Sequence, residues 1–194
     1  MMNPRRRWLG ATAALSLLGA GLPAPAFAAE PRLWAFDGLW DDDARQHVRL
    51  ARWAGRPALL ALAYGACRKT CSTTLRLLQQ AQADADARGI GLDVIVVSLD
   101  PATDTPQAWR AFRAERGLMR PNWHFLGGSP AQTRRLADLL GVRYWVYDDH
   151  VLHDFRIVAV QPDGRIVAHI DWVDEPVKTL VDALAASGAS APRG

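Results

Sequence analysis

Cys67 and Cys71 are the two cysteines of this 194-residue chain, four positions apart with Arg68 and Lys69 between them. Thiols at that spacing on a helical turn share a face, so they can close a disulfide or hold a thiophilic metal as two thiolates. A disulfide across so short a loop removes little chain entropy, and a domain of this size needs no such staple. Reactivity or metal binding is therefore the better reason for the pair. The two basic side chains favour thiolate over thiol, as does the partial positive charge at a helix start. Met119 is the one methionine beyond the amino-terminal leader, which excludes a methionine-rich Cu(I) site.

Such a pair needs a strand that ends, and a helix that begins, around it. Residues 58–64 read Ala-Leu-Leu-Ala-Leu-Ala-Tyr, a continuous apolar run that predicts a strand buried on both faces. Gly65 breaks the run just before Cys67. Ser72, Thr73 and Thr74 lead into a helix carried by Leu75 and Leu78 and running to about Arg88, and residues 92–99 form a second buried strand. Thr105 and Pro106 suit the N-cap and first position of the next helix, with Trp109 and Phe112 on one face. Asp100 and Asp104 read as caps there, with proton transfer to a thiol as the alternative. A short strand at 123–126 precedes a helix that begins at Ser129-Pro130, carries Leu136, Leu139 and Leu140, and stops at Gly141.

Residues 153–160 and 165–170 flank the turn Gln161-Pro162-Asp163-Gly164 as an antiparallel hairpin. Val177, Leu180, Val181 and Leu184 mark a final helix. The alternation predicts an α/β fold with a mostly parallel sheet finished by that hairpin, while residues 29–57 read as irregular. The tryptophans, Trp34, Trp40, Trp53, Trp109, Trp123, Trp145 and Trp172 after the leader, read as packing residues.

A composition 49% hydrophobic and 22% charged fits one compact domain. Arg5, Arg6 and Arg7 supply the whole formal charge of +3 and no acidic residue precedes Glu30, so a chain beginning at Ala29 is neutral. Nucleic-acid binding, which needs a basic face on the folded domain, is excluded as a function. Residues 1–28 read as an export signal of the twin-arginine type, with Arg5-Arg6-Arg7-Trp8-Leu9, a short apolar stretch and the small-x-small end Ala26-Phe27-Ala28. The alternative is an uncleaved leader that attaches the chain to the membrane. The expected organisation is signal 1–28, domain 29–186 and disordered tail 187–194, with the domain in the periplasm.

The string Ala63-Tyr64-Gly65-Ala66-Cys67-Arg68-Lys69-Thr70-Cys71-Ser72-Thr73-Thr74-Leu75 resembles the motif of the Sco/SenC family. Val97-Ser98-Leu99-Asp100-Pro101, Asp104-Thr105-Pro106, Trp123-His124-Phe125-Leu126-Gly127-Gly128 and Pro162-Asp163-Gly164 are similar to further family segments, so the resemblance spans residues 48–186. It departs at Arg68 and Ser72, where the family usually has prolines. The resemblance implies a thioredoxin-like fold with a central mixed sheet, flanking helices and a C-terminal antiparallel hairpin. It also implies copper, as Cu(I) or Cu(II), held by the two cysteines and one histidine, and delivery to cytochrome c oxidase.

Of His47, His124, His150, His153 and His169, the family ligand nine residues before the hairpin proline corresponds to His153. Strand parity with Phe155, Ile157 and Ala159 gives it a defined face. The family's Asp-His dipeptide falls instead at Asp149-His150, so His150 stays open as the alternative; the other three histidines read as non-ligands.

The leading expectation is a periplasmic copper chaperone with metal ligands Cys67, Cys71 and His153. Its partner is a copper-receiving oxidase subunit or another periplasmic copper or thiol protein. The alternative is a thiol–disulfide oxidoreductase in which Cys67 and Cys71 are the catalytic redox pair; peroxide reduction ranks last for want of a Thr-x-x-Cys site. Mass spectrometry of the protein recovered from an exporting host is expected to find Ala29 first, whereas retention of residues 1–28 would indicate an anchored chain.

Overall fold

The computed structural model describes residues 32–66, 70–148 and 150–188. The expected signal, Cys67, Asp149 and residues 189–194 of the expected tail lie outside them. Short strands β1 (Trp40–Asp42) and β2 (His47–Val48) stand between two single 3-10 turns, Leu33–Ala35 and Leu50–Trp53. The region expected to be irregular therefore holds strands, too short to show a period in sequence. They form because Trp40 is buried against the core and β1 adds antiparallel to a strand end further along the chain.

The first long apolar run becomes β3 (Ala58–Ala63), buried at every position. Helix α1 (Thr70–Ala87) follows, then β4 (Asp93–Ser98), also buried throughout. These two strands pair in parallel from Ala58 opposite Asp93 to Ala63 opposite Ser98. Helix α2 (Pro106–Glu115) starts as expected, the Thr105 hydroxyl accepting the Ala108 N–H at 3.2 Å with Pro106 in the first turn. Strand β5 (Trp123–Gly127) pairs in parallel with β4. Helix α3 (Pro130–Leu139) opens on a capping box between Ser129 and Gln132.

Four strands and a helix complete the chain: β6 (Tyr144–Tyr147), β7 (His150–His153), β8 (Ile157–Val160), β9 (Ile166–Ile170) and α4 (Lys178–Gly188). Helix α4 packs on β8, β9 and α1, and α1 packs on β3. The helix runs to Gly188, two residues past the boundary expected at 186.

The main sheet has the order β2-β1-β5-β4-β3-β8-β9. This is the expected α/β class with a central mixed sheet and terminal antiparallel hairpin. It is not mostly parallel, because only β3–β4 and β4–β5 run the same way. Short hairpins join β1 to β2 and β8 to β9, while β1 meets β5 and β8 meets β3 as antiparallel partners from far along the chain. A second correction concerns residues 153–160, which are two strands and not one. β6 and β7 form a separate hairpin, and the chain leaves it at His153 before joining the main sheet at Ile157. Of the tryptophans read as packing residues, Trp34, Trp40, Trp53, Trp109 and Trp123 are buried, while Trp145 and Trp172 are exposed.

Leu59 on β3 is 0% exposed. Leu59→Ala is expected to cost about 2–5 kcal/mol, as the lost transfer energy plus a cavity between packed layers. Urea unfolding should show this as a lower midpoint at unchanged slope.

Candidate metal centre

The carboxyl ends of β3 and β4 meet where the cysteine segment begins. The ladder closes with the Leu99 N–H donating to the Ala63 carbonyl at 2.8 Å. Tyr64 and Gly65 then carry the chain out of the sheet toward Cys67. Cys67 lies outside the described residues, and Cys71 is the second residue of α1, at the helix start where backbone N–H groups are unpaired.

His153 ends β7 opposite Tyr144 at the base of the β6–β7 hairpin, and its ring meets the Tyr64 ring edge-on with centroids 6.2 Å apart. An imidazole 86 positions further along the chain is thus placed against the residue three before Cys67. Its Nδ1 lies 2.9 Å from the Asp154 carbonyl. A carbonyl can only accept, so Nδ1 carries the proton, and Nε2 of the neutral ring is left with a bare lone pair. Nε2 is out of water and has no hydrogen-bond partner among the described residues.

His153 also lines a groove of about 550 Å³, with Phe155, Arg156, Asp171 and Trp172 on its walls. Paired arginines at the hairpin base hold it there. Arg143 grips Asp154 through Nε at 2.8 Å and through its backbone N–H at 3.1 Å, and the guanidinium keeps the Asp154 carboxyl below the usual carboxylate range. Arg156 donates twice to Asp171 and once to the Leu140 carbonyl. Gly141, at φ +66°, leaves room for that guanidinium, which a Cβ would meet at 2.6 Å.

The expected parity of His153 with Ile157 does not set its face, because residues 154–156 lie in no strand. The alternation along β7 does: Val151 and His153 face inward, while His150 and Leu152 face outward. His150 pairs with Tyr147 beside the hairpin turn and is exposed. The other histidines sit beside carboxylates. His124 Nε2 is 2.7 Å from buried Asp93 and its ring lies 5.0 Å from Trp53. His47 pairs with Asp41, and His169 lies 3.6 Å from Asp171. Among the described residues no three His, Cys, Asp or Glu side chains gather as a metal cage, and no helix is long and apolar enough to cross a membrane.

Asp104 is not the cap it was expected to be. Thr105 caps α2, and the Asp104 carboxylate turns inward, accepting the Gly65 N–H at 2.9 Å on one oxygen and the Ser98 hydroxyl at 2.6 Å on the other. Burial pushes its pKa up to about 6 against the pull of these two donors, with Asp100 adding to the rise. The available signal was Ser98, a hydroxyl at the end of the apolar run at residues 94–97 that must find a partner when buried.

The sequence matches none of the curated proteins. A family model described as SCO1/SenC matches residues 38–187. Among solved structures, Arabidopsis thaliana ScoI with copper bound is 21% identical with a TM-score of 0.69, covering 79% of this chain and 97% of its own. Yeast Sco1 with copper bound is 18% identical with a TM-score of 0.67, covering 80% and 89%. BsSco, a Sco-family cytochrome c oxidase assembly protein with a disulfide switch, is 21% identical with a TM-score of 0.70, covering 80% and 94%. The shared architecture is the thioredoxin-like one.

The raised pKa of Asp104 fixes the sign of one pH dependence. The folded state retains this proton more tightly than the unfolded chain, so the stabilisation is complete below about pH 3.8 and is lost as pH rises through about 6. Asp104→Asn is expected to flatten the stability profile over that window, measured as urea midpoints from pH 4 to 7. An unchanged slope would place the titration elsewhere.

Proposed function

Because the chain belongs to the SCO1/SenC family, we propose that it is an exported copper chaperone that holds the metal through Cys67, Cys71 and His153 and passes it to the copper site of a respiratory oxidase. The observation that carries this reading is the His153 ring: a proton fixed on Nδ1, a buried Nε2 without a partner among the described residues, and Tyr64 alongside. An unsatisfied buried acceptor costs about 1–3 kcal/mol, and a metal bound at Nε2 removes that cost. The carbonyl bond at Nδ1 is the usual outer contact that orients a ligating imidazole.

The donor set suits copper in both oxidation states. Two thiolates satisfy Cu(I) and its tolerance of low coordination, and an added imidazole suits Cu(II). Copper here is cargo: it must be bound well enough to be carried and openly enough to be given up. The groove beside His153 provides that opening. The leader supports a periplasmic location, where a copper-receiving oxidase subunit or another copper or thiol protein is the partner.

A second reading, reduction of a partner's disulfide by Cys67 and Cys71, draws on Arg68 and Lys69. Two basic residues between the cysteines in sequence favour the attacking thiolate.

Titration of the reduced protein with Cu(I) and Cu(II) separates the two. His153→Ala is expected to weaken Cu(II) by about tenfold or more, since even outer-sphere contacts are worth 10–100-fold, and to alter the thiolate-to-copper absorption. Cu(I) should suffer less and His150→Ala should do little, whereas Cys67→Ser or Cys71→Ser should harm both oxidation states. Damage from His150→Ala alone would move the ligand to the hairpin tip. Normal Cu(II) binding in both histidine variants, with efficient disulfide reduction by the unaltered chain, would replace the chaperone by the oxidoreductase.

A further inference from the structure

Asp104 is a buried carboxylate at the end of the sheet where the cysteine segment begins, and the ligand set just described makes no use of it. Its backbone is anchored, the N–H donating to the Asp100 carbonyl at 2.9 Å. Its own carbonyl lies so close over β5 that a Cβ on Gly127 would stand 3.3 Å from it. From there the side chain reaches past Ser98, the last residue of β4, to the Gly65 N–H beyond the end of β3. One residue thus bridges the carboxyl ends of all three parallel strands.

We propose that Asp104 is the positioning residue of the cysteine segment: by holding the Gly65 N–H against Ser98 it sets where the chain stands two residues before Cys67. The sheet does not need this bond for its register, because the β3–β4 ladder is already closed by Leu99 donating to Ala63. The contact acts one step past the ladder, on the outgoing chain alone. Gly65 is shaped to it as well. A Cβ there would stand 2.7 Å from the Asp104 Oδ1, so any larger residue drives the carboxylate off the N–H it holds. The Ser98 hydroxyl fixes the other oxygen, and its own oxygen accepts the Asp100 N–H at 2.9 Å, which leaves the carboxylate little freedom to turn. Hydrogen bonds to an ionised acceptor out of water are the strong ones, so the tie is stiff enough to aim a loop.

The inference rests on reading Cys67 and Cys71 as the working thiols, but not on copper. Its test is therefore the equilibrium of the Cys67–Cys71 disulfide with glutathione in the full chain, read without metal, and the Cu(II)–thiolate absorption second. Asp104→Ala and Gly65→Ala are each expected to shift the thiol–disulfide equilibrium by about tenfold, the scale of one lost bond to a charged acceptor. Ser98→Ala should shift it in the same direction by less. Asp104→Asn, whose amide oxygen can still accept from Gly65, should recover most of the wild-type value. Wild-type equilibria in folded Asp104→Ala and Gly65→Ala would overturn the proposal, and so would an Asn variant as damaged as Ala, since charge and not position would then be at work. If Asp104→Ala fails to fold, Gly65→Ala and Ser98→Ala decide by the same criterion. A wild-type chain that binds no copper would count against the chaperone and leave the glutathione result to judge Asp104.

Discussion

A six-residue strand with every side chain out of water persists only when both its faces and both its edges are covered, and β3 imposes that constraint on this molecule. Its edges are taken by β4 in parallel and β8 in antiparallel pairing. With α1 and α4 packed against this part of the sheet, the core assembles around it. The parallel partner must arrive by a crossover, which α1 supplies. The point where β3 stops is therefore also where α1 has to be reached, and the segment in between holds Cys67. Burial of β3 and placement of the cysteine segment are one requirement.

The antiparallel partner brings the histidine. Strand β8 begins at Ile157, and the chain enters it from the base of a separate hairpin whose last residue is His153. Had residues 153–160 been a single strand, the ring would have followed the sheet's alternation. Instead the Arg143–Asp154 and Arg156–Asp171 pairs hold the chain between the two strands, and Tyr64 receives the ring. Exposed ion pairs contribute little to stability on their own. These two matter for direction, because each ties the turning chain to a different neighbour.

Strand β4 shows how polarity is managed at both ends of a buried strand. At its start Asp93 is met by Arg56 at 2.7 Å and His124 at 2.7 Å. At its end Ser98 is met by Asp104. A buried carboxylate met by a guanidinium and an imidazole is a settled structural device. Asp104 is held instead by a hydroxyl and a peptide N–H, and burial lifts its pKa to about 6. The two ends of one strand thus differ in kind: the first is met by two side chains, and the second is tied through Asp104 to the outgoing chain at Gly65.

The local patterns were legible because they depend on near neighbours. The apolar runs of β3 and β4, the Thr105-Pro106 and Ser129-Pro130 helix starts, the turn at residues 161–164 and the Cys67–Cys71 spacing all act within a few residues, and the family motif is written in the same stretches. Four features were decided only by the folded chain: the antiparallel pairings of β1 with β5 and of β3 with β8, the short strands β1 and β2, the break after His153 and the inward turn of Asp104. Each depends on a partner distant in sequence. β1 exists because β5 offers an open edge, His153 is aimed by Arg143 and received by Tyr64, and Asp104 is turned from a cap into a tie by Gly65, 39 positions earlier. Periodicity and capping preferences report the energy of a segment with itself and with water. The direction of a side chain at the end of an element is set by which donor, acceptor or ring the rest of the fold brings within reach.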